Sequence, residues 1–260
     1  MRIIRVSQTM LLTLLLAFWG HGMAFAQSAQ AAQSFTLQPG GKATITYEAY
    51  CTDFGLKFPT TLQAPNAVAE DKVRGALAYI QSNNISADEN KALEAQYGIW
   101  QLRGATGSPA GGDVAKAVVN AGNTPPATPQ GTSVLDAVKA GQVKLTLGTW
   151  GPLGNKVPIG NASDNFYGRG ELTIENTSQQ ALTLYMPVGT LFPPNTAGEQ
   201  TMAAYTTNVQ ASNPQQNQQN QPGQLPNTAD GTHSSEWLLL AGALALLIAG
   251  LFFRLRPNQG

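Results

Sequence analysis

Apolar and polar residues alternate from Thr44 to Cys51. Ile45, Tyr47, Ala49 and Cys51 fall on one face, and Thr44, Thr46, Glu48 and Tyr50 on the other. That period of two predicts a half-buried strand whose last residue, the cysteine, points inward. A shorter strand signal at 35–37 precedes it, separated by the turn residues Pro39, Gly40 and Gly41. The period then lengthens: Val73, Ala76, Leu77 and Ile80 share one helical face, which predicts a helix over 66–82. Ser86 and Glu89 have capping-box spacing, so a second helix is expected over 87–102. Shorter helical patterns lie at 113–120, inside a passage rich in Gly, Pro and Ala, and at 133–140. Alternation returns at 143–147, at Leu172 and Ile174, and at Leu182 and Leu184, with 176–180 expected to join the last two runs as a hairpin. The early strands are too few to bury a sheet alone, so the expectation is one α+β head over 34–208, β-sandwich-like with a helical insertion.

The second helix raises a chemical question. Ala92, Leu93, Gln96, Ile99 and Trp100 form its apolar stripe, with Lys91, Glu94, Gly98 and Gln101 largely opposite. Gln96 is therefore an amide in the middle of a face that should be buried. Burying an amide without partners costs roughly 1–3 kcal/mol, so a compensating partner is required. A hydrogen bond to a strand backbone would satisfy it, and so would a more reactive neighbour.

Both ends of the chain carry export signals. Arg2 and Arg5 precede an apolar run too short to span a bilayer, and Ala24, Phe25 and Ala26 close a segment that reads as a cleaved signal peptide over 1–26. Residues 209–224, rich in Gln, Asn and Pro, read as a disordered stalk or linker. Within 225–260, an apolar run over 237–253, about seventeen residues, is at the lower limit for a transmembrane helix. Arg254 and Arg256 after it would stay cytoplasmic. Leu225-Pro226-Asn227-Thr228-Ala229 resembles the LPxTG-type cell-wall sorting signals of Gram-positive-like bacteria, with Ala229 in place of the usual glycine. The resemblance implies that sortase is a partner, that it cleaves after Thr228, and that the new acyl group passes to a cell-wall amine. A plain membrane tail, retained in the bilayer, is the alternative anchor.

Composition narrows the function classes. The formal net charge is +0 and only 12% of residues are charged, so no basic surface points to nucleic acid or anionic lipid. One cysteine in an exported chain makes no intramolecular disulfide. It is left with an intermolecular bridge, an inert buried thiol, or chemistry of its own. No His, Cys and carboxylate cluster has metal-ligand spacing, and no cofactor motif is present. His21 and His233 lie in the signal and sorting segments, which excludes histidine-dependent catalysis in the mature protein. Asp53, Glu70, Asp71 and Glu89 form no paired-acid motif, so an enzyme is not expected.

Tyr50-Cys51-Thr52-Asp53, followed by Ala95-Gln96-Tyr97-Gly98-Ile99-Trp100, resembles the thioester domains of wall-anchored bacterial surface adhesins. The resemblance covers about 35–102. It implies an intramolecular thioester, with Cys51 as sulfur donor and Gln96 as acyl donor, formed with loss of ammonia. It also implies covalent capture of an amine or hydroxyl on a host or neighbouring-cell protein or glycan. Tyr50, Tyr97 and Trp100 would then line an apolar collar around the bond, or else be plain core. The competing reading is a non-covalent surface-binding or structural envelope protein in which Cys51 is inert.

Overall fold

The computed structural model describes residues 32–159 and 162–214. The signal segment 1–26, the linker beyond residue 214, the LPNTA motif and the apolar run 237–253 lie outside the described residues. The chain forms β1 (Ser34–Leu37), β2 (Lys42–Cys51) and β3 (Ala67–Val68), then α1 (Asp71–Ser82), a 3₁₀ turn (Ile85–Ala87), α2 (Glu89–Leu102) and α3 (Asp113–Ala121). After β4 (Thr132–Ser133) and α4 (Val134–Lys139) come β5 (Val143–Pro152), β6 (Val157–Ile159), β7 (Ala162–Asp164) and β8 (Tyr167–Asn176). The last elements are β9 (Leu182–Tyr185), β10 (Thr190–Phe192) and β11 (Met202–Ser212). The head is thus mostly β-sheet, with helices α1 to α3 inserted as one run between strands.

A six-stranded antiparallel sheet in the order β3-β10-β11-β2-β8-β5 is the largest unit. β1, β9 and β4 form a second sheet, and β6 pairs with β7. Strands from before and after the helical run therefore share one sheet, with β2 between β11 and β8. Alternation in β2 is only half the story, because Glu48 and Tyr50 are buried as well as Ala43, Ile45, Tyr47, Ala49 and Cys51. Tyr47 stacks on Phe192 at 4.4 Å and on Trp150 at 6.2 Å. On the other face, Ser86 Oγ in the 3₁₀ turn hydrogen-bonds both Tyr50 OH and Tyr205 OH at 2.7 Å. Glu48 is compensated in that layer, because Tyr205 OH and the Arg169 guanidinium both donate to its carboxylate at 2.6 Å.

Several expectations are corrected. The first helix starts at Asp71, since Ala67 and Val68 pair with β10 instead. α2 is capped by Asp88, whose Oδ1 accepts from the N–H groups of Asn90 and Lys91, while Ser86 is occupied by the two tyrosines and Glu89 reaches Asn155. No hairpin joins β8 to β9. Asn176 donates to Leu37 O and Gln180 O, folding 176–180 into a crossing from the large sheet to the β1-β9-β4 sheet. Finally, Val209, Gln210, Ala211 and Ser212 pair with β2 and belong to β11, so the head extends past the expected start of the linker. Among the described residues no helix is long and apolar enough to cross a membrane.

Gly98 is buried, not on the outer side of α2. A Cβ built on it would lie 2.9 Å from Ala115 O and from the Val118 side chain, so the glycine lets α3 cross α2 in direct contact. Gly98→Ala gains about 1 kcal/mol of helix propensity but overpacks this crossing at a cost of ~1–3 kcal/mol. The expected net result is a lower urea midpoint, and a raised midpoint would mean that α3 yields freely.

Candidate functional site

Two local features bring α2 onto the end of β2. The Asp88 carboxylate at its N-terminus matches the positive end of the helix dipole. At its C-terminus Ala105 N–H donates to Trp100 O and Gly104 N–H to Gln101 O, with Gly104 at φ 74°. That left-handed closure is natural to glycine and turns the chain back over residues 52–54.

The β2–β8 ladder stops at Tyr50 and Tyr167, while the β2–β11 ladder continues to Cys51 and Met202. One residue of β2 thus outruns its partner on the β8 side, and the Gln96 side chain takes the partner's place. Gln96 Nε2 donates to Cys51 O at 2.7 Å, and Cys51 N–H donates to Gln96 Oε1 at 3.0 Å while also reaching Phe166 O at 3.1 Å. The two residues are 45 apart in sequence, and each is 0% exposed. The strand-backbone partner expected for the buried amide and the nearness of Cys51 are therefore one observation: the backbone that satisfies Gln96 is that of Cys51.

Cys51 Sγ lies 3.7 Å from Met202 Sδ. Burial pushes the Cys51 thiol well above its ordinary range, and the carboxylates of Asp164 and Asp53 add to the rise. Neither Arg103 nor Lys91 offsets this, since Arg103 pairs with Asp53 and Glu70 and Lys91 with Asp88. Where Cys51 is unbonded, its sulfur is therefore held as the protonated thiol.

The three aromatic residues divide. Tyr50 stacks on Tyr167 at 5.6 Å and is held through its hydroxyl by Ser86. Trp100 is buried, 5.0 Å and edge-on to Phe54, and 6.1 Å from the half-buried Tyr97. The Trp100 indole N–H is buried with no hydrogen-bond partner among the described residues. Phe54, Met202 and Phe166 were not legible in advance. Phe54 follows Cys51 closely in sequence, but the other two arrive by long-range strand pairing. Among the described residues no group of His, Cys, Asp and Glu is arranged to hold a metal ion.

Residues 217–256 match the family model of the LPXTG cell wall anchor motif. No curated protein and no solved structure gives a significant match to the chain. The matched segment contains Leu225 to Ala229 and makes the protein a sortase substrate, displayed outside the cell and anchored to the wall through its C-terminus.

Three variants test the Gln96 contact. In a Cys51→Ala background, where the backbone at position 51 is retained, Gln96→Ala should lower stability by ~1–3 kcal/mol by leaving the buried carbonyl of that position without its partner, while the N–H keeps Phe166 O. A neutral effect would remove the amide from the fold's essential contacts. In Gln96→Ala alone the Cys51 thiol is present, and its raised folded-state pKa favours the folded chain at low pH. Above about pH 8.5 the unfolded chain sheds its thiol proton first, so stability should fall as pH rises toward the folded-state pKa. Denaturant titrations at several pH values should show this slope, and the double variant should lack its thiol component.

Proposed function

We propose that Cys51 and Gln96 form an intramolecular thioester and that the protein is a wall-anchored, single-use covalent adhesin, with a β-sandwich-like head carrying a helical insertion. The reading rests on the reciprocal hydrogen bonds between the Gln96 amide and the Cys51 backbone inside a pocket that excludes solvent. Cys51 N–H donates to the very oxygen on which charge develops when sulfur attacks, which is the role of an oxyanion-hole donor. Sγ adds to Gln96 Cδ, the Cδ–Nε2 bond breaks, and the departing nitrogen takes the thiol proton and leaves as ammonia. Holding both groups in place substitutes for concentration, with effective molarities of roughly 10⁵–10⁸ M. The same burial then keeps water from hydrolysing the bond.

An amine or hydroxyl of a host or neighbouring-cell protein or glycan would attack the thioester and leave the two surfaces joined. No turnover follows, so the protein would be consumed rather than act as an enzyme. Cleavage by sortase after Thr228 would supply the other covalent end. One observation favours a second reading: the Gln96 amide is already satisfied and Sγ rests against Met202. In that case the pair is a structural clamp, Cys51 is inert, and binding at the surface is non-covalent.

The intact mass of residues 27–214 before and after methylamine separates the two. The thioester predicts a mass short by one ammonia that rises by one methylamine, with both effects lost in Cys51→Ala and in Gln96→Ala. The full calculated mass, unmoved by methylamine, would leave the structural clamp.

A further inference from the structure

Cys51 and Gln96 are enclosed, so a nucleophile must reach them past neighbouring residues. Two cavities, of about 290 and 420 Å³, lie on either side of Arg103, and both are floored by Thr52 and Asp53, the residues that follow Cys51. Phe54 walls the first cavity and Glu70 the second. Arg103 is seven residues beyond Gln96 on the same face of α2, just past the helix end. Its guanidinium spans Asp53 at 3.4 Å and Glu70 at 3.3 Å. β2 and α2 are therefore tied twice, by the buried Gln96–Cys51 clamp and by the exposed Arg103–Asp53 pair. Trp100, with its unpartnered buried N–H, stands between them on the same helix face.

Resting on the thioester reading, we propose that this groove is the entrance for the nucleophile and that it selects a primary ammonium, such as a lysine side chain, over a neutral hydroxyl. Asp53 is the recognition group, and Arg103 occupies the ammonium's seat until the ligand displaces it. Several observations converge on the assignment. Asp53 is already aimed, because Thr52 Oγ1 donates to its Oδ2 at 2.6 Å while Arg103 holds Oδ1. The seat accepts a cation on a long flexible stem. Arg103, Asp53 and Glu70 are all substantially exposed, and ion pairs of that kind contribute little to stability, so an exchange of cations costs little. Lys72 also contacts Glu70, at 3.7 Å, which leaves Asp53 as the carboxylate released when Arg103 moves. Asp53 is two residues from Cys51, within about 7 Å of extended chain, so a side chain seated there needs only a short advance. Its carboxylate is near enough to Cys51 to contribute to the rise of the thiol pKa.

The chemistry balances. The ammonium loses one proton to solvent by way of Asp53, and its nitrogen attacks Gln96 Cδ. The Cδ–Sγ bond breaks with its electron pair on sulfur, and the second nitrogen proton passes to Sγ. The products are an amide at Gln96, a neutral Cys51 thiol and one released proton. The arginine itself does not react, since its guanidinium stays protonated.

The test uses the wall-anchored protein on intact cells, with biotinylated cadaverine as the cationic amine, a biotinylated hydroxylamine as a nucleophile that is neutral at pH 7.5, and a biotinylated primary alcohol. Label is read on the immunopurified chain. Thioester content is read separately, as Cys51 thiol released by hydroxylamine in denaturant. Cadaverine should outpace the alcohol and slow as salt is raised. Asp53→Asn should lower the cadaverine-to-hydroxylamine rate ratio about fivefold, and Arg103→Gln should raise it. A purely structural role for either residue would change both rates together. Unchanged ratios at equal thioester content would overturn the entrance while leaving the thioester reading standing. Absence of any releasable thiol in the unsubstituted protein would overturn both.

Discussion

The contact on which the arrangement depends is the pair of hydrogen bonds between a side-chain amide and the last residue of the central strand. A strand that outruns its neighbour leaves a backbone donor and acceptor facing protein instead of water. Gln96 meets both, at 3.0 and 2.7 Å, sharing the N–H with Phe166 O. An amide is the side chain able to do so, because it presents one donor and one acceptor side by side, as a peptide group does. The contact fixes the rotation of α2, since any other face would leave Cys51 O buried and unpaired. With α2 fixed, Gly98 must face α3 and Arg103 must reach back over residue 53.

That one contact serves the structural and the chemical reading of Gln96 alike. A clamp that polarises a carbonyl through Cys51 N–H and holds its nitrogen against Cys51 O is a stable hydrogen-bonded pair, and under the thioester reading the same N–H would stabilise the oxygen during attack. The high thiol pKa bears on the distinction. It keeps sulfur protonated, which slows attack, yet it also makes the thiolate a poor leaving group in a finished thioester. Under the thioester reading such a pocket would form the bond slowly and retain it well, which would suit a group used once. Release would then need a proton on sulfur, which the attacking nitrogen would supply as it forms the amide.

Legibility in the sequence followed the range of the forces involved. β2 and α2 were readable because alternation and helical periodicity are local, and Gln96 stood out because it broke a local pattern. Ser86 was misplaced as a cap because the hydroxyls that claim it belong to Tyr50 and Tyr205, far away in the chain. Periodicity puts Gly98 largely opposite the apolar stripe, and only the placement of α3 against it shows why that face is buried and why a side chain must be missing there. The 176–180 segment has ordinary turn composition. Only the contact of Asn176 with Leu37 O shows that the chain leaves one sheet for another there.

The topology has a mechanical consequence under the proposed function. The wall attachment lies C-terminal to β11, and the ligand would be bonded at Gln96, against the far end of β2. β11 and β2 are antiparallel, with Ser212 opposite Lys42 and Met202 opposite Cys51. A pull from the wall at Ser212 and from a ligand at the Cys51 end therefore acts along opposite ends of one ladder. Its hydrogen bonds, which run perpendicular to the strands, are loaded together in shear rather than opened one at a time. The Cys51–Gln96 pair sits at the end of this ladder where a load from a captured ligand would enter by way of Gln96. Capture would replace the Gln96–Cys51 covalent bond with a bond to the ligand, leaving the Gln96 carbonyl oxygen within reach of Cys51 N–H. The hydrogen bond that would position the reaction would then also be one contact, beside the α2 backbone, through which the captured load passes into the sheet.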